Sequence, residues 1–116
     1  MKEVLCLNVL NYEGRRTIFT EKQLKIKAPK RPELRETGII ERIKVAVQNP
    51  TFVYLDYEHA YRFVYYRREY KINDRIRYLK VVIEGRKSDL FVITAYRPDY
   101  VKERGKTKLI YGKDND

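Results

Sequence analysis

Residues 61–70 read YRFVYYRREY, and these ten positions hold four tyrosines, one phenylalanine and three arginines. Aromatic residues at this density predict a β-strand. Side chains alternate between the two faces of a strand, so one face carries Tyr61, Phe63, Tyr65 and Arg67 and the other carries Arg62, Val64, Tyr66 and Arg68. Each face combines apolar bulk with arginine. This favours a sheet that has one covered face and one face that meets an anionic partner.

The chain beyond residue 50 has the composition of successive short strands. We predict strands at about 51–56, 60–67, 76–84, 89–97 and 107–111. Turn-forming residues separate them at Tyr57-Glu58-His59, at Asn73-Asp74 and at Gly85-Arg86-Lys87-Ser88. Hairpin connections of this length make neighbouring strands antiparallel.

The N-terminal segment begins with strand-like residues from Val4 to Leu10, followed by a turn at Gly14 and a short β segment at 17–19. Thr20 and Gln23 have the spacing of a capping box. The pattern therefore predicts a short helix over about 21–26.

A second helix is predicted between two proline-containing segments. Pro29 and Pro32 indicate a loop, and apolar residues from Leu34 to Val47 then recur mainly at helical spacing. The Asn49-Pro50 pair ends this helix. Helices before a run of strands predict an α+β domain: two N-terminal helices packed on one face of a four- to five-stranded antiparallel sheet.

The length of 116 residues suits one domain with one modest core. We predict a single domain over 1–116, with its core at about 4–111 and a frayed tail at 112–116. No apolar run approaches the length of a membrane span, and no secretory signal pattern opens the chain. A single cysteine, Cys6, permits no internal disulfide and favours a reducing, cytoplasmic compartment.

The charge balance favours a polyanionic partner. Lys and Arg number 26 against 16 Asp and Glu, for a net charge of +10, and such a surplus attracts nucleic acid. Residues 61–87 hold nine basic residues and three acidic ones. Tyrosine supplies a ring for a base, and arginine binds phosphate in bidentate fashion. We predict that nucleic acid is contacted by Lys30, Arg62, Arg68, Arg77, Lys80 and Arg97.

Metal and cofactor sites are not indicated. One cysteine and one histidine, His59, cannot assemble a zinc site in the usual way. His59 lies in a predicted hairpin tip, where a histidine is usually incidental. We therefore expect neither a metal nor a cofactor.

Several short stretches resemble a known family. "RPEL" precedes a helix that ends in "VQNPTFVYLD", and "RFVYYRRE", "RYLKVVIEG", "LFVITAYRPD" and "GKTKLIY" follow in order. Over roughly residues 20–111, this order resembles the barnase–EndoU–colicin–RelE (BECR) group of small ribonucleases, in its phage and mobile-element branch. The resemblance implies a RelE-like fold and a metal-independent RNA endonuclease, often a toxin held by an antitoxin partner.

Residue roles follow from this resemblance. The implied chemistry is attack of the 2′-hydroxyl on the neighbouring phosphate, which needs a base, an acid and cations. Family members often carry a histidine near the segment that matches residues 23–34, and this chain has none there. By resemblance, Arg67 would hold phosphate, Thr94 would bond it or orient the nucleophile, Tyr66 or Tyr96 would act as acid, and Lys27 or Arg31 would stabilise the transition state.

Two other interpretations stay open. The missing histidine favours a module of the same fold that binds RNA or other nucleic acid without cleaving it. A third interpretation is a protein-interaction domain whose basic face docks an acidic partner, such as an antitoxin segment added along an exposed strand edge. RNA cleavage in EDTA separates the first interpretation from these two.

Overall fold

A computed structural model describes residues 3–59, 61–99, 101 and 107–112 of the chain. Its strands are β1 (Leu5–Leu10), β2 (Arg16–Thr20), β3 (Phe52–Asp56), β4 (Arg62–Ile72), β5 (Arg75–Arg86), β6 (Asp89–Tyr96) and β7 (Thr107–Gly112). Its helices are α1 (Glu21–Lys27) and α2 (Ile39–Gln48), with a 3₁₀ turn at Pro32–Arg35 between them.

All seven strands form one sheet in the order β1-β2-β6-β5-β4-β3-β7. Every neighbouring pair is antiparallel except β2 and β6, which are parallel at Thr17–Leu90 and Ile18–Phe91. The N-terminal hairpin thus lies beside β6 at one side of the sheet, and β7 forms the opposite edge.

The predicted four- to five-stranded antiparallel sheet under two helices is wrong. The described residues form a seven-stranded mixed sheet, because the N-terminal hairpin joins it through the parallel β2–β6 pair. The helices are also not equivalent. None of the seven residues of α1 is buried, whereas α2 buries Ile39, Ile43, Ala46 and Val47 against the sheet.

The five strands predicted after residue 50 are present. The turn at Asn73-Asp74 has two left-handed residues, with φ of 49° and 63°, as a two-residue hairpin requires. The tail predicted to be frayed lies outside the described residues, apart from Gly112, which ends β7.

The second predicted helix is interrupted near its start. Leu34 lies in the 3₁₀ turn, and α2 begins after Gly38, whose φ is 80°. A left-handed residue cannot continue a right-handed helix, and glycine adopts this conformation without steric cost. The predicted start of the first helix is confirmed, because Gln23 N donates to Thr20 Oγ1 at 3.0 Å. The predicted end of the second helix is also confirmed, because Asn49 is the C-cap of α2.

The core lies between α2 and one face of the sheet, which we call the helix face. Its central row consists of the cross-strand neighbours Val53, Tyr65, Val81 and Ala95, each at most 2% exposed. Tyr65 satisfies its buried hydroxyl by accepting a hydrogen bond from Asn11 Nδ2 at 3.0 Å. Burial raises the pKa of Tyr65 to about 12, because a buried phenolate lacks solvation.

Candidate nucleic-acid interface

The sheet face opposite α2 carries a row of aromatic and cationic side chains. Phe52, Tyr66, Lys80 and Tyr96 are direct neighbours across β3, β4, β5 and β6. Each follows or precedes a core residue by one position, so strand alternation turns it away from the helices. We call this surface the tyrosine face and define it by Phe52, Tyr54, Tyr66, Tyr78, Lys80 and Tyr96.

Tyr66 is the centre of this face and is 1% exposed. The rings of Tyr54 and Tyr78 meet it edge-on, with centroid distances of 5.8 and 6.3 Å. Phe52 lies 5.9 Å from Tyr78. Edge-to-face geometry suits the quadrupoles of aromatic rings. Tyr66 therefore orients the half-buried rings around it rather than offering its own ring to a ligand.

Two cations lie against these rings. The Arg31 guanidinium is 3.9 Å from the centroid of the Tyr96 ring, and Lys80 Nζ lies 5.5 Å from Tyr96 and 5.7 Å from Tyr66. All three contacts are within cation–π range. Arg31 reaches the sheet because α1 runs beside β6, where Gln23 Nε2 donates to Ile93 O at 2.8 Å.

Two buried polar atoms on the same face have no hydrogen-bond partner among the residues that the structure describes. They are Thr94 Oγ1 and Arg62 Nε, although buried polar groups are normally satisfied. Thr94 is the strand neighbour of Val82. Arg62 lies at the other end of the face, where its Nη2 is 3.5 Å from Glu84 Oε2.

The predicted catalytic residues do not gather at one place. Thr94, Tyr66, Tyr96 and Arg31 belong to the tyrosine face or touch it, but Arg67 follows Tyr65 by two positions and turns to the helix face. There Arg67 Nη1 donates to Asn49 O at 3.0 Å. Because strand alternation separates Arg67 from Thr94, the structure does not bring together the two residues that the resemblance assigns to one phosphate.

Arg97, predicted to contact nucleic acid, is enclosed by carboxylates on the helix side. Its Nη1 lies 2.7 Å from Glu36 Oε1, and its Nε lies 2.6 Å from Glu69 Oε1. The side chain is 10% exposed. Burial opposes the charged form, but the hydrogen bonds that Arg97 donates to the Glu36 and Glu69 carboxylates raise its pKa. The guanidinium is therefore engaged within the protein.

The remaining predicted residues occupy varied positions. Lys27, the last residue of α1, is half-buried, and Lys30 is exposed in the connection that follows. Arg68 lies opposite Tyr78 on the tyrosine face, with no ion-pair partner for its guanidinium in the described part of the chain. Arg77 Nη1 is 3.8 Å from Asp99. The predicted roles of these residues stay predictions.

His59 has a local role in the turn after β3. Asp56 Oδ1 accepts hydrogen bonds from the backbone N of Glu58 and His59, and Asp56 Oδ2 lies 3.1 Å from His59 Nδ1. Burial opposes the charge, yet these hydrogen bonds lower the pKa of Asp56. Across residues 3–59, 61–99, 101 and 107–112, no group of three acidic, histidine or cysteine side chains could hold a metal ion.

Comparison with known proteins gives no identification. No protein-family model matches the chain, and no curated protein or solved structure matches it. The resemblance to small ribonucleases therefore stays a prediction. Among the helices that the structure describes, none is long and apolar enough to cross a membrane.

The predicted site residues did not include Phe52, Tyr54 or Tyr78. A signal was present, because Phe52 and Tyr54 are two positions apart and share a strand face. Their pairing with Tyr66 and Val64 depends on the β3–β4 register, which the alternation within a single strand does not fix.

Proposed function

We propose that this protein binds single-stranded RNA on the tyrosine face. The observation that carries the proposal is the row Phe52–Tyr66–Lys80–Tyr96, with Arg31 stacked on its last ring. Single-stranded nucleic acids bind where aromatic rings can stack with bases and where cations follow the backbone.

The physical chemistry of this face suits a single strand better than a duplex. The half-buried rings of Phe52, Tyr54, Tyr78 and Tyr96 can stack only with bases whose faces are free. Three strand spacings separate β3 from β6, so the row spans roughly 14 Å, enough for a few nucleotides. Arg31, Arg68 and Lys80 supply positive charge along it.

The experiment measures affinity for a labelled 12-nucleotide RNA by fluorescence anisotropy over a range of KCl concentrations. Three phosphate contacts would give a log–log salt slope of about −2. Arg31→Gln is expected to weaken binding about fivefold and to reduce the magnitude of the slope by about 0.7, because it removes one cation from the path.

Arg35→Gln is the matched control. Arg35 is exposed, and its Nη1 donates to Ala28 O at 3.3 Å, so this change removes the same charge four residues from Arg31. Its affinity should stay within twofold of the wild type, apart from a small general charge effect. Equal losses in the two variants would show that net charge alone attracts RNA, and the proposed face would be rejected.

The ribonuclease prediction is tested with the same RNA in EDTA, followed by end-group analysis. A binding module leaves the RNA intact after long incubation. If 2′,3′-cyclic phosphate ends appear and are lost in Thr94→Ala, the activity is cleavage, and the face binds a substrate. Arg67→Gln should alter neither binding nor cleavage, since Arg67 lies on the helix face.

A cytoplasmic location is part of the proposal. Its support is chemical: the chain contains one cysteine, which fits a reducing compartment. Burial raises the pKa of the Cys6 thiol, although a hydrogen bond from the Cys6 backbone partly offsets this effect. The thiol itself donates to the Phe19 carbonyl. Cys6 is therefore a packing residue rather than a reactive thiol.

A further inference from the structure

A second basic cleft lies at the end of the sheet where β4 begins and β5 ends. Its volume is about 510 Å³, within the range of small-molecule sites. It is lined by Arg15, Tyr61, Phe63, Gly85, Arg86 and Lys87. Phe63 is on the helix face and packs against the core, so this cleft is separate from the tyrosine face.

The described residues of the lining include three cations and no carboxylate. Arg86 is partly neutralised, since its Nε lies 2.9 Å from Glu84 Oε1. Arg15 and Lys87 form no ion pair with a carboxylate in the described ranges. Two cations that line one cleft and form no ion pair with a carboxylate of the described residues match a doubly charged anion better than the single charge of an internal phosphodiester.

The aromatic part of the cleft is Tyr61 with Phe63. Tyr61 is 73% exposed, and its backbone has φ of 65°, a left-handed conformation that is costly for an aromatic residue. A hydrogen bond from Gly85 N to Tyr61 O at 2.7 Å helps to hold it. Strained residues of this kind cluster at ligand sites, and an exposed ring there is suited to stack with a planar group.

We propose that this cleft binds a phosphate monoester attached to a planar base, that is, a nucleoside 5′-monophosphate. Arg15 and Lys87 bind the phosphate, and Tyr61 flanks the base. Gly85 forms the floor, where an added Cβ would lie 3.7 Å from the Phe63 ring. The monophosphate can belong to a free nucleotide or to the 5′ end of a strand, and the two sources are separable by experiment.

The test is titration of the full chain with adenosine 5′-monophosphate, adenosine and inorganic phosphate, followed by NMR or calorimetry. Saturable binding of the nucleotide is expected, with adenosine at least tenfold weaker. Arg15→Gln/Lys87→Asn should weaken nucleotide binding at least tenfold. Asparagine tolerates the left-handed conformation of Lys87, whose φ is 54°, so a folding defect is avoided.

The control is Lys71→Gln/Arg75→Gln, which removes the same charge at the opposite end of the β4–β5 hairpin. The nucleotide affinity of this variant should stay within twofold of that of the wild type. Tyr61→Asn removes the ring, and asparagine tolerates the left-handed backbone of this position. The affinity for the nucleotide should therefore fall to the affinity for inorganic phosphate. The absence of saturable nucleotide binding by the wild type would overturn the proposal. Equal losses of nucleotide affinity in the two double variants would overturn it as well.

A competition experiment identifies whether the bound monophosphate belongs to a free nucleotide or to the 5′ end of a strand. Displacement of the nucleotide by a 5′-phosphorylated RNA, but not by the same RNA with a 5′-hydroxyl, assigns the cleft to a strand end. Displacement by neither RNA assigns it to a free nucleotide. Tyr96→Ala, on the tyrosine face, should leave nucleotide affinity unchanged, so failure at one site is distinguishable from failure at the other.

Discussion

Two neighbouring rows cross the same four strands and have opposite characters. The row Val53, Tyr65, Val81 and Ala95 is buried against α2, and the row Phe52, Tyr66, Lys80 and Tyr96 lies on the other face. A shift of one residue along each strand separates them. Strand alternation alone therefore converts one run of sequence into a core and a candidate binding surface.

The cations near the two rows also differ in their partners. On the helix side, Arg97 contacts Glu36 and Glu69, and Arg42 Nη1 lies 3.1 Å from Glu69. On the tyrosine face, Arg31 lies against the Tyr96 ring. Carboxylates neutralise a cation, whereas an aromatic ring leaves its charge able to attract phosphate. The first arrangement stabilises the fold, and the second suits a ligand.

Arg97→Met gives the largest expected effect. After this change, the Glu69 carboxylate, whose side chain is 7% exposed, has Arg42 as its remaining ion-pair partner. We therefore expect a loss of about 3 kcal/mol in the free energy of unfolding. Urea denaturation measures this loss. RNA affinity of the folded fraction should not change. Arg35→Met, at an exposed site, should cost less than about 0.5 kcal/mol. A specific loss of RNA binding in Arg97→Met would contradict the division between the faces.

Tyr96→Ala tests the other row. Loss of one stacking ring should reduce RNA affinity about tenfold, since base–aromatic stacking contributes about 1–3 kcal/mol. Anisotropy titration measures this change. The control is Tyr57→Ala, which removes an exposed tyrosine from the turn after β3 and should change affinity less than twofold. An equal effect in both variants would argue against ordered stacking on the face.

Tyr65→Phe removes the hydroxyl of the β4 tyrosine that lies on the helix face, next in sequence to Tyr66 of the tyrosine face. Asn11 Nδ2 then loses its acceptor, and we expect a loss of about 1 kcal/mol in thermal or urea unfolding. RNA affinity should stay constant. Tyr111→Phe removes the hydroxyl from a half-buried tyrosine and should cost a few tenths of a kcal/mol. Comparable losses in both variants would show that the Asn11 hydrogen bond adds little.

Asp56→Asn should have the smallest effect, and that effect depends on pH. The folded-state pKa of Asp56 lies below its ordinary value of 3.8, so the ionised carboxylate stabilises the fold above the unfolded-state pKa. This contribution is lost as the pH falls through the folded-state pKa.

We therefore expect Asp56→Asn to cost at most about 1 kcal/mol at pH 7 and to match the wild type at pH values below the folded-state pKa. Urea denaturation at several pH values measures the difference. Glu41→Gln, on the exposed side of α2, is the control and should change the free energy of unfolding by less than about 0.5 kcal/mol. A cost for Asp56→Asn that persists at the lowest pH would show that ionisation is not its origin.

Local features were predictable from the sequence because neighbouring residues determine them. The helix start at Thr20, the helix end at Asn49 and the strands after residue 50 depend on capping, on proline and on alternation. The break at Gly38 was less predictable, since glycine tolerates both helical and left-handed conformations. The parallel β2–β6 pair was not predictable from local patterns, because it joins residues that are far apart in the chain.

The candidate site was predictable in its chemistry and not in its geometry. The basic surplus and the tyrosines of residues 61–70 indicated a polyanion surface, and Tyr66, Lys80 and Tyr96 do lie in one row. Arg67 and Arg97 belong to the same basic surplus but lie on the helix side. Their charge was visible in the sequence, but their partners Asn49, Glu36 and Glu69 were not.

The sequence by itself determined which residues form strands, which side chains share a face within a regular stretch of strand and how much positive charge the chain carries, because these depend on composition and on a two-residue repeat. The tertiary structure decided which face α2 covers, how the seven strands are ordered and which arginines meet carboxylates. Those outcomes depend on the pairing of distant segments. Strand register then sets whether a given cation is neutralised inside the fold or lies against an aromatic ring.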